Sequence, residues 1–193
     1  MSINGRNVYE FIYRGHLAKD GVSRALKSTY QKPDDQAAQF SAILSLDLLD
    51  NDIVQSARQM SVVYTAVAAF ENSVRDLISE ILLEAKGENW WKLIPKKIRE
   101  NAEKRLEEEK KVRWHTQRGE HPINYTTLAN LLAIMRTNFD CFEPHIESIE
   151  WAANIFDAIE RSRNVITHSG VLQKEDVQRL GIYIRDWIRQ VGV

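Results

Sequence analysis

Met60, Val63, Val67, Phe70, Val74, Leu77 and Ile81 follow one another at alternating steps of three and four residues. That spacing lays a continuous apolar stripe along one face of a single long helix. The sequence predicts this helix from about Val54 to Ala85, with Gly87 as its stop. The same recurrence returns in Leu128, Leu131, Leu132 and Met135, again in Ile149, Ala152, Phe156 and Ile159, and last in Val177, Leu180, Ile184, Trp187 and Ile188. No stretch alternates apolar and polar residues in the manner of a strand. The expected fold class is all-α.

A chain of 193 residues with 44% hydrophobic side chains has room for one domain with a substantial core. Its 27 acidic and 26 basic residues leave a formal net charge of -1. Nothing global therefore advertises nucleic acid or an anionic surface, and any such preference has to be local. The single cysteine, Cys141, builds no disulfide framework and reads as a small core residue in a reducing compartment. The opening "MSINGRNVYEF" lacks the apolar run of a signal peptide, and no window approaches the length of a membrane span. The expectation is a soluble, cytoplasmic protein that does not enter a membrane.

Residues up to about Tyr30 have helical character through Val8, Phe11, Ile12, Val22 and Leu26. Pro33 marks a break, Asp34 is placed to cap a helix carrying Phe40, Ile43, Leu44 and Leu48, and residues 49 to 53 form a corner. Residues 1–53 are read as an N-terminal helical extension and residues 54–193 as the main helical domain. After the long helix, two tryptophans and Pro95 lead into a highly charged helix, whose thin apolar seam is Ile94, Ile98, Ala102 and Leu106. Glu100 with Lys104 and Glu107 with Lys111 are spaced to pair along it. Arg118 to Pro122 form a loop, a helix restarts over residues 125 to 135, another runs from about Ile146 until Gly170 breaks it, and a last one starts near Lys174.

Two stripes carry polar residues where apolar ones are due. In the helix from Ile146, Arg163 stands where the series Ile149, Ala152, Phe156, Ile159 calls for another aliphatic side chain. In the long helix a second line, Tyr64, Ala68, Glu71, Arg75, Ile78 and Leu82, holds an acid and a base amid apolar neighbours. Buried ions need partners, so Glu71 is a natural partner for Arg75 or Arg163. Asn164 and His168 lie four apart and share the face next to Arg163, with Arg163 and His168 separated by roughly 140° on an ideal helix. An arginine in such a stripe can also snorkel, and Asn164 and His168 can simply finish a helix. Spacing alone leaves both readings open.

"RNVITH", Arg163 to His168, resembles the R-N-x-x-x-H signature of the HEPN superfamily. "AFENSVRDLI", residues 69 to 78, is similar to the acid and arginine on the first core helix of the HEPN branch named for a eukaryotic RNA-surveillance endonuclease. The tryptophan-rich entry to a charged helix, the helix resembling "INYTTLANLLAIM" and the terminal motif helix follow in that branch's order from about Val54 onward. The resemblance implies a bundle of four to five helices, often dimeric, with two motif helices meeting at a shared cleft. It also implies a metal-independent endoribonuclease in which the RNA 2′-hydroxyl attacks the neighbouring phosphate. His168 would be the acid/base, Arg163 the phosphate anchor, Asn164 an orienting residue, and Glu71 with Arg75 supporting residues.

By analogy with the family, the setting is a toxin or phage-defence system, with an antitoxin or regulatory protein as a further partner. The rival reading is a non-catalytic helical module that binds RNA, a nucleotide or another protein. Between Lys92 and Arg118 basic residues outnumber acidic ones, so Lys96, Lys97, Arg99 and Lys104 are candidate phosphate contacts, or else members of an ordinary solvated helix. Trp90 and Trp91 are read as packing residues rather than base-stacking ones. No cofactor is expected, and no metal site either, since His115, His121 and His145 lack metal-ligand spacing.

Overall fold

In the computed structural model, residues 33–192 are described. The helical expectations for Val8 to Leu26 lie outside them. The described residues form α1 (Pro33–Ile43), α2 (Asn51–Lys86), α3 (Lys96–Lys110), α4 (Leu128–Thr137), the single turn α5 (Phe139–Phe142), α6 (Ile149–Thr167) and α7 (Lys174–Val191). Short 3-10 turns occupy Leu46–Leu48, Trp90–Leu93 and Pro122–Tyr125. The fold is all-α, as its periodicities predict, and its five long helices from α2 onward form the expected bundle. The chain divides into two compact units between Val54 and Gln55.

Helix boundaries follow caps more than hydrophobic pattern. α1 covers Pro33–Ile43, with Asp34 among its helical residues. α2 starts ahead of Val54 because the Asp50 carboxylate accepts the N–H groups of Asp52 and Ile53 at 3.0 and 3.1 Å. Thr127 and Asn130 form a reciprocal capping box on α4. α6 starts at Ile149 and not near Ile146, since the Ser148 hydroxyl accepts from the Trp151 N–H at 3.1 Å. Ile146 is buried ahead of the helix.

The core stripe of α2 is buried through Val63, Val67, Phe70, Val74, Ile78, Ile81 and Leu82, with Met60 and Leu77 half-buried at its margin. Phe70 anchors it: the ring meets Phe156 of α6 edge-on at 5.8 Å and Trp187 of α7 at 5.7 Å. Trp187 in turn lies 5.2 Å from Phe156 and stacks on Trp151 at 5.6 Å. Each such pair adds about 0.5 to 1.5 kcal/mol beyond area burial. These rings fix α2, α6 and α7 one residue away from Glu71.

α3 is the peripheral helix its composition suggests. Ile98, Ala102 and Leu106 face inward, and Trp90 and Trp91 are buried as packing residues. The ion pairs differ from expectation: Lys96 pairs with Glu100, Lys104 with Glu108 and Lys110 with Glu107, whereas Glu100–Lys104 and Glu107–Lys111 do not form among the described residues. On so densely charged a surface Glu100, Glu107 and Glu108 each have a lysine on either side, and exposed pairs differ little in energy. Cys141 is half-buried against the core.

Candidate active site

Glu71 lies on the buried face of α2 beside Phe70 and Val74, with only 9% of its surface exposed. A carboxylate there has to be compensated, and both expected cations reach it. Arg75, one turn on, donates from Nη2 to Glu71 Oε2 at 3.1 Å. Arg163 of α6 brings its Nε to 3.0 Å from Glu71 Oε1, an ion pair in which the N–H is not aimed at the oxygen, so Oε1 accepts no aligned hydrogen bond. Arg75 also donates from Nη2 to the Thr126 carbonyl at 3.3 Å and from Nη1 to Asn72 Oδ1 at 3.0 Å. The result is a clasp of one carboxylate and two guanidiniums joining α2, α6 and the entry to α4.

The two arginines differ in access. The Arg75 side chain is 12% exposed, a structural cation, while that of Arg163 is 37% exposed. Its Nη groups have no protein acceptor among the described residues. An arginine tethered at Nε and open at its Nη edge is suited to grip two oxygens of a phosphate.

The end of α6 sets Asn164 and His168. His168 is the C-cap residue, and its N–H donates to the Asn164 carbonyl at 3.2 Å. Ser169 takes the left-handed conformation at φ 61°, its N–H donating to Ile166 at 3.0 Å, and the Gly170 N–H closes on the Val165 carbonyl at 2.8 Å. This is a Schellman ending with serine where glycine is usual. Gly170 is needed for space, because a Cβ there would stand 2.7 Å from Val165 Cγ1 and 2.8 Å from the Val165 oxygen. The helix thus ends at Thr167, ahead of Gly170, and the His168 side chain is exposed at its C-cap.

Asn164 and His168 are exposed, and no hydrogen bond or ion pair engages either side chain among the described residues. Nor does one join either to Arg163. On an ideal helix five residues turn by roughly 140°, which would send the Arg163 and His168 side chains off different faces of α6. Beside them, α6 and α7 enclose a groove of about 730 Å³ that takes in Trp151, Asn154, Arg161, Val165, Arg179 and Tyr183. Neither Arg163 nor His168 lines it.

Of the candidate phosphate contacts, Lys96 and Lys104 are engaged by glutamates, and Arg99 donates to the Lys92 carbonyl. Lys97 is exposed without an acidic partner among the described residues. Sequence reasoning missed three features: the Thr126 carbonyl that completes the clasp, the strained Ser169, and Trp114, whose indole is 86% exposed. The first two are backbone features, and residue type alone does not disclose exposure. No helix among the described residues is long and apolar enough to cross a membrane.

No curated protein and no solved structure gives a match. The family model described as Swt1-like HEPN matches residues 65–192. That stretch holds Glu71, Arg75, Arg163, Asn164 and His168 alike, and the chain belongs to the Swt1-like HEPN family.

Proposed function

We propose that the protein is an endoribonuclease that cuts RNA without a metal ion, at a site shared by two copies of the chain. One observation carries this reading: Arg163 is tethered to a buried carboxylate while its Nη edge stays open. Support comes also from the exposed imidazole five residues on, and from membership of a family that supports RNA cleavage.

RNA brings its own nucleophile. A base removes the proton of the 2′-hydroxyl, the 2′-oxygen bonds to phosphorus, the bond from phosphorus to the 5′-oxygen breaks, and an acid protonates that leaving oxygen. The products are a 2′,3′-cyclic phosphate and a 5′-hydroxyl. Imidazole suits both proton transfers, and in each shared site the His168 of one copy takes the 2′-hydroxyl proton and delivers a proton to the leaving 5′-oxygen. Arg163 grips the non-bridging oxygens as their charge grows in the pentacoordinate state. Asn164 orients the histidine or the RNA. Glu71 and Arg75 are positioning residues that hold the Arg163 stem. Two chains resolve the angular separation of Arg163 and His168, which one undistorted helix does not.

The setting we infer is a toxin or phage-defence system acting in the cytoplasm and held silent by an antitoxin or regulatory protein. In expression, wild type then slows host growth, His168→Ala does not, and the silencing protein co-purifies. For the chemistry, purified protein is incubated with total cellular RNA in a chelator, beside His168→Ala and Arg163→Ala, and product ends are analysed. Cleavage lost in both variants, with cyclic phosphate ends, is the expected result. A strict need for magnesium contradicts it.

A further inference from the structure

From Lys110 to Arg118 the chain reads KKVRWHTQR, with basic residues at Lys110, Lys111, Arg113 and Arg118 and no acid among them. Both ends of this loop are braced. The N–H groups of Lys111 and Val112 continue the last turn of α3, donating to Glu108 and Glu109 at 3.3 and 2.9 Å. At the far end Arg118 donates its backbone N–H to the Glu109 carboxylate at 3.1 Å and its Nε forms an ion pair with that carboxylate at 2.7 Å. The Arg118 guanidinium lies 5.5 Å from the Tyr125 ring centre, and the Tyr125 hydroxyl donates to the Gly119 carbonyl at 3.2 Å. The Arg118 N–H, chief among these contacts, holds the Glu109 carboxyl below its ordinary pKa, so the brace persists into mild acid.

Between the braces, the His115 N–H closes a turn on the Val112 carbonyl at 3.2 Å, and Trp114 stands at the third position of that turn. The His115 ring meets the indole at right angles, with centroids 5.5 Å apart. Trp114 is the most exposed large apolar side chain among the described residues. Trp90, Trp91 and Trp187 are buried, and Trp151 is half-buried and stacked. Beside this open indole, Lys111 and Arg113 have no acidic partner among the described residues, unlike Lys110 and Arg118.

An open ring preceded in the same short loop by two cations without acidic partners matches a flexible polyanion with exposed base faces. Duplex RNA keeps its base faces inside the stack, and the centre of a protein interface sheds lysine. We propose that Trp114, with Lys111 and Arg113 just before it in the loop, is a stacking platform for an unpaired base of single-stranded RNA, the two cations taking the adjoining phosphates. The proposal rests on the ribonuclease reading above and narrows its substrate to RNA that is single-stranded where it is held.

The test uses the whole chain carrying His168→Ala, so that bound RNA is not cut. A uridine-rich single-stranded oligoribonucleotide, free or annealed to its complement, is titrated by fluorescence anisotropy. Adding Trp114→Ala weakens single-strand binding about tenfold, Trp114→Phe keeps most of it, and duplex binding does not change. Lys111→Ala with Arg113→Ala flattens the salt dependence by about two phosphate contacts. Because the indole is exposed, the variants keep the helical circular dichroism of the parent. Unchanged single-strand affinity in Trp114→Ala, or equal loss on duplex, overturns the platform. A changed oligomeric mass with unchanged RNA affinity also overturns it and makes Trp114 a contact between chains. Cleavage of total RNA by the chain with native His168 separates the two claims. Cleavage with affinity indifferent to Trp114 sinks the platform alone, and absence of both cleavage and binding sinks the ribonuclease reading with it.

Discussion

Glu71 is where stability and the proposed activity meet in one side chain. Removing a buried carboxylate leaves Arg75 enclosed beside apolar groups with no counter-charge and frees the Arg163 stem. Breaking such a cluster costs about 3 to 5 kcal/mol, so Glu71→Ala should lower the unfolding free energy from urea denaturation by that amount. A cost below about 1 kcal/mol, the range of an exposed pair, would contradict the clasp. At the other end of the motif, Ser169 holds a conformation that glycine adopts freely. Ser169→Gly should raise stability by about 1 kcal/mol with cleavage retained. Gly170→Ala should lower it by about 1 to 3 kcal/mol, because Val165 backbone stands in the way. His121 adds a pH dependence: stacked 5.8 Å from Trp90 and edge-on to Trp91, it has its pKa lowered by burial. Its contribution to stability is then full above the ordinary imidazole pKa and lost as pH falls through the lowered one. His121→Gln should flatten the fall of the urea midpoint in mild acid, and an unchanged slope would remove His121 from the account.

Among the elements, α2 was legible because its apolar residues repeat without interruption, and α4, α6 and α7 were legible for the same reason. Their starts were less so. Asp50, which caps α2, sits beside Asn51 and Asp52, equally good caps in one dimension, and ahead of Ser148, which caps α6, the buried Ile146 carries the apolar spacing past the helix's start. Glutamates with a lysine on both sides left the pairing along α3 equally open. The contact on which the bundle turns, Phe70 against Phe156 and Trp187, joins positions far apart in sequence, and no local pattern reveals it. Phe70→Ala should cost about 3 to 5 kcal/mol in chemical denaturation. A loss under about 1 kcal/mol would mean that the aromatic cluster does not hold α2 to α6 and α7.

For the whole molecule, the interrupted stripes proved informative. Arg163 and Glu71 stood out as ions in apolar series, and the folded chain sets them 3.0 Å apart. The resemblance of Arg163 to His168 supplied a chemistry that spacing alone did not. Trp114 escaped notice because tryptophan is ordinarily a packing residue, and a braced turn rather than a motif exposes it. A net charge of -1 leaves the proposed RNA binding to local groups such as Arg163, Lys111 and Arg113. The central claim is that Arg163 and His168 from different copies form one site. It is tested most directly by mixing two inactive proteins, Arg163→Ala and His168→Ala, letting their subunits exchange, and assaying RNA cleavage in a chelator. In a two-fold dimer with shared sites, each mixed pair regains one intact site, so the mixture should recover about a quarter of wild-type cleavage. No recovery despite proven exchange would contradict the shared site.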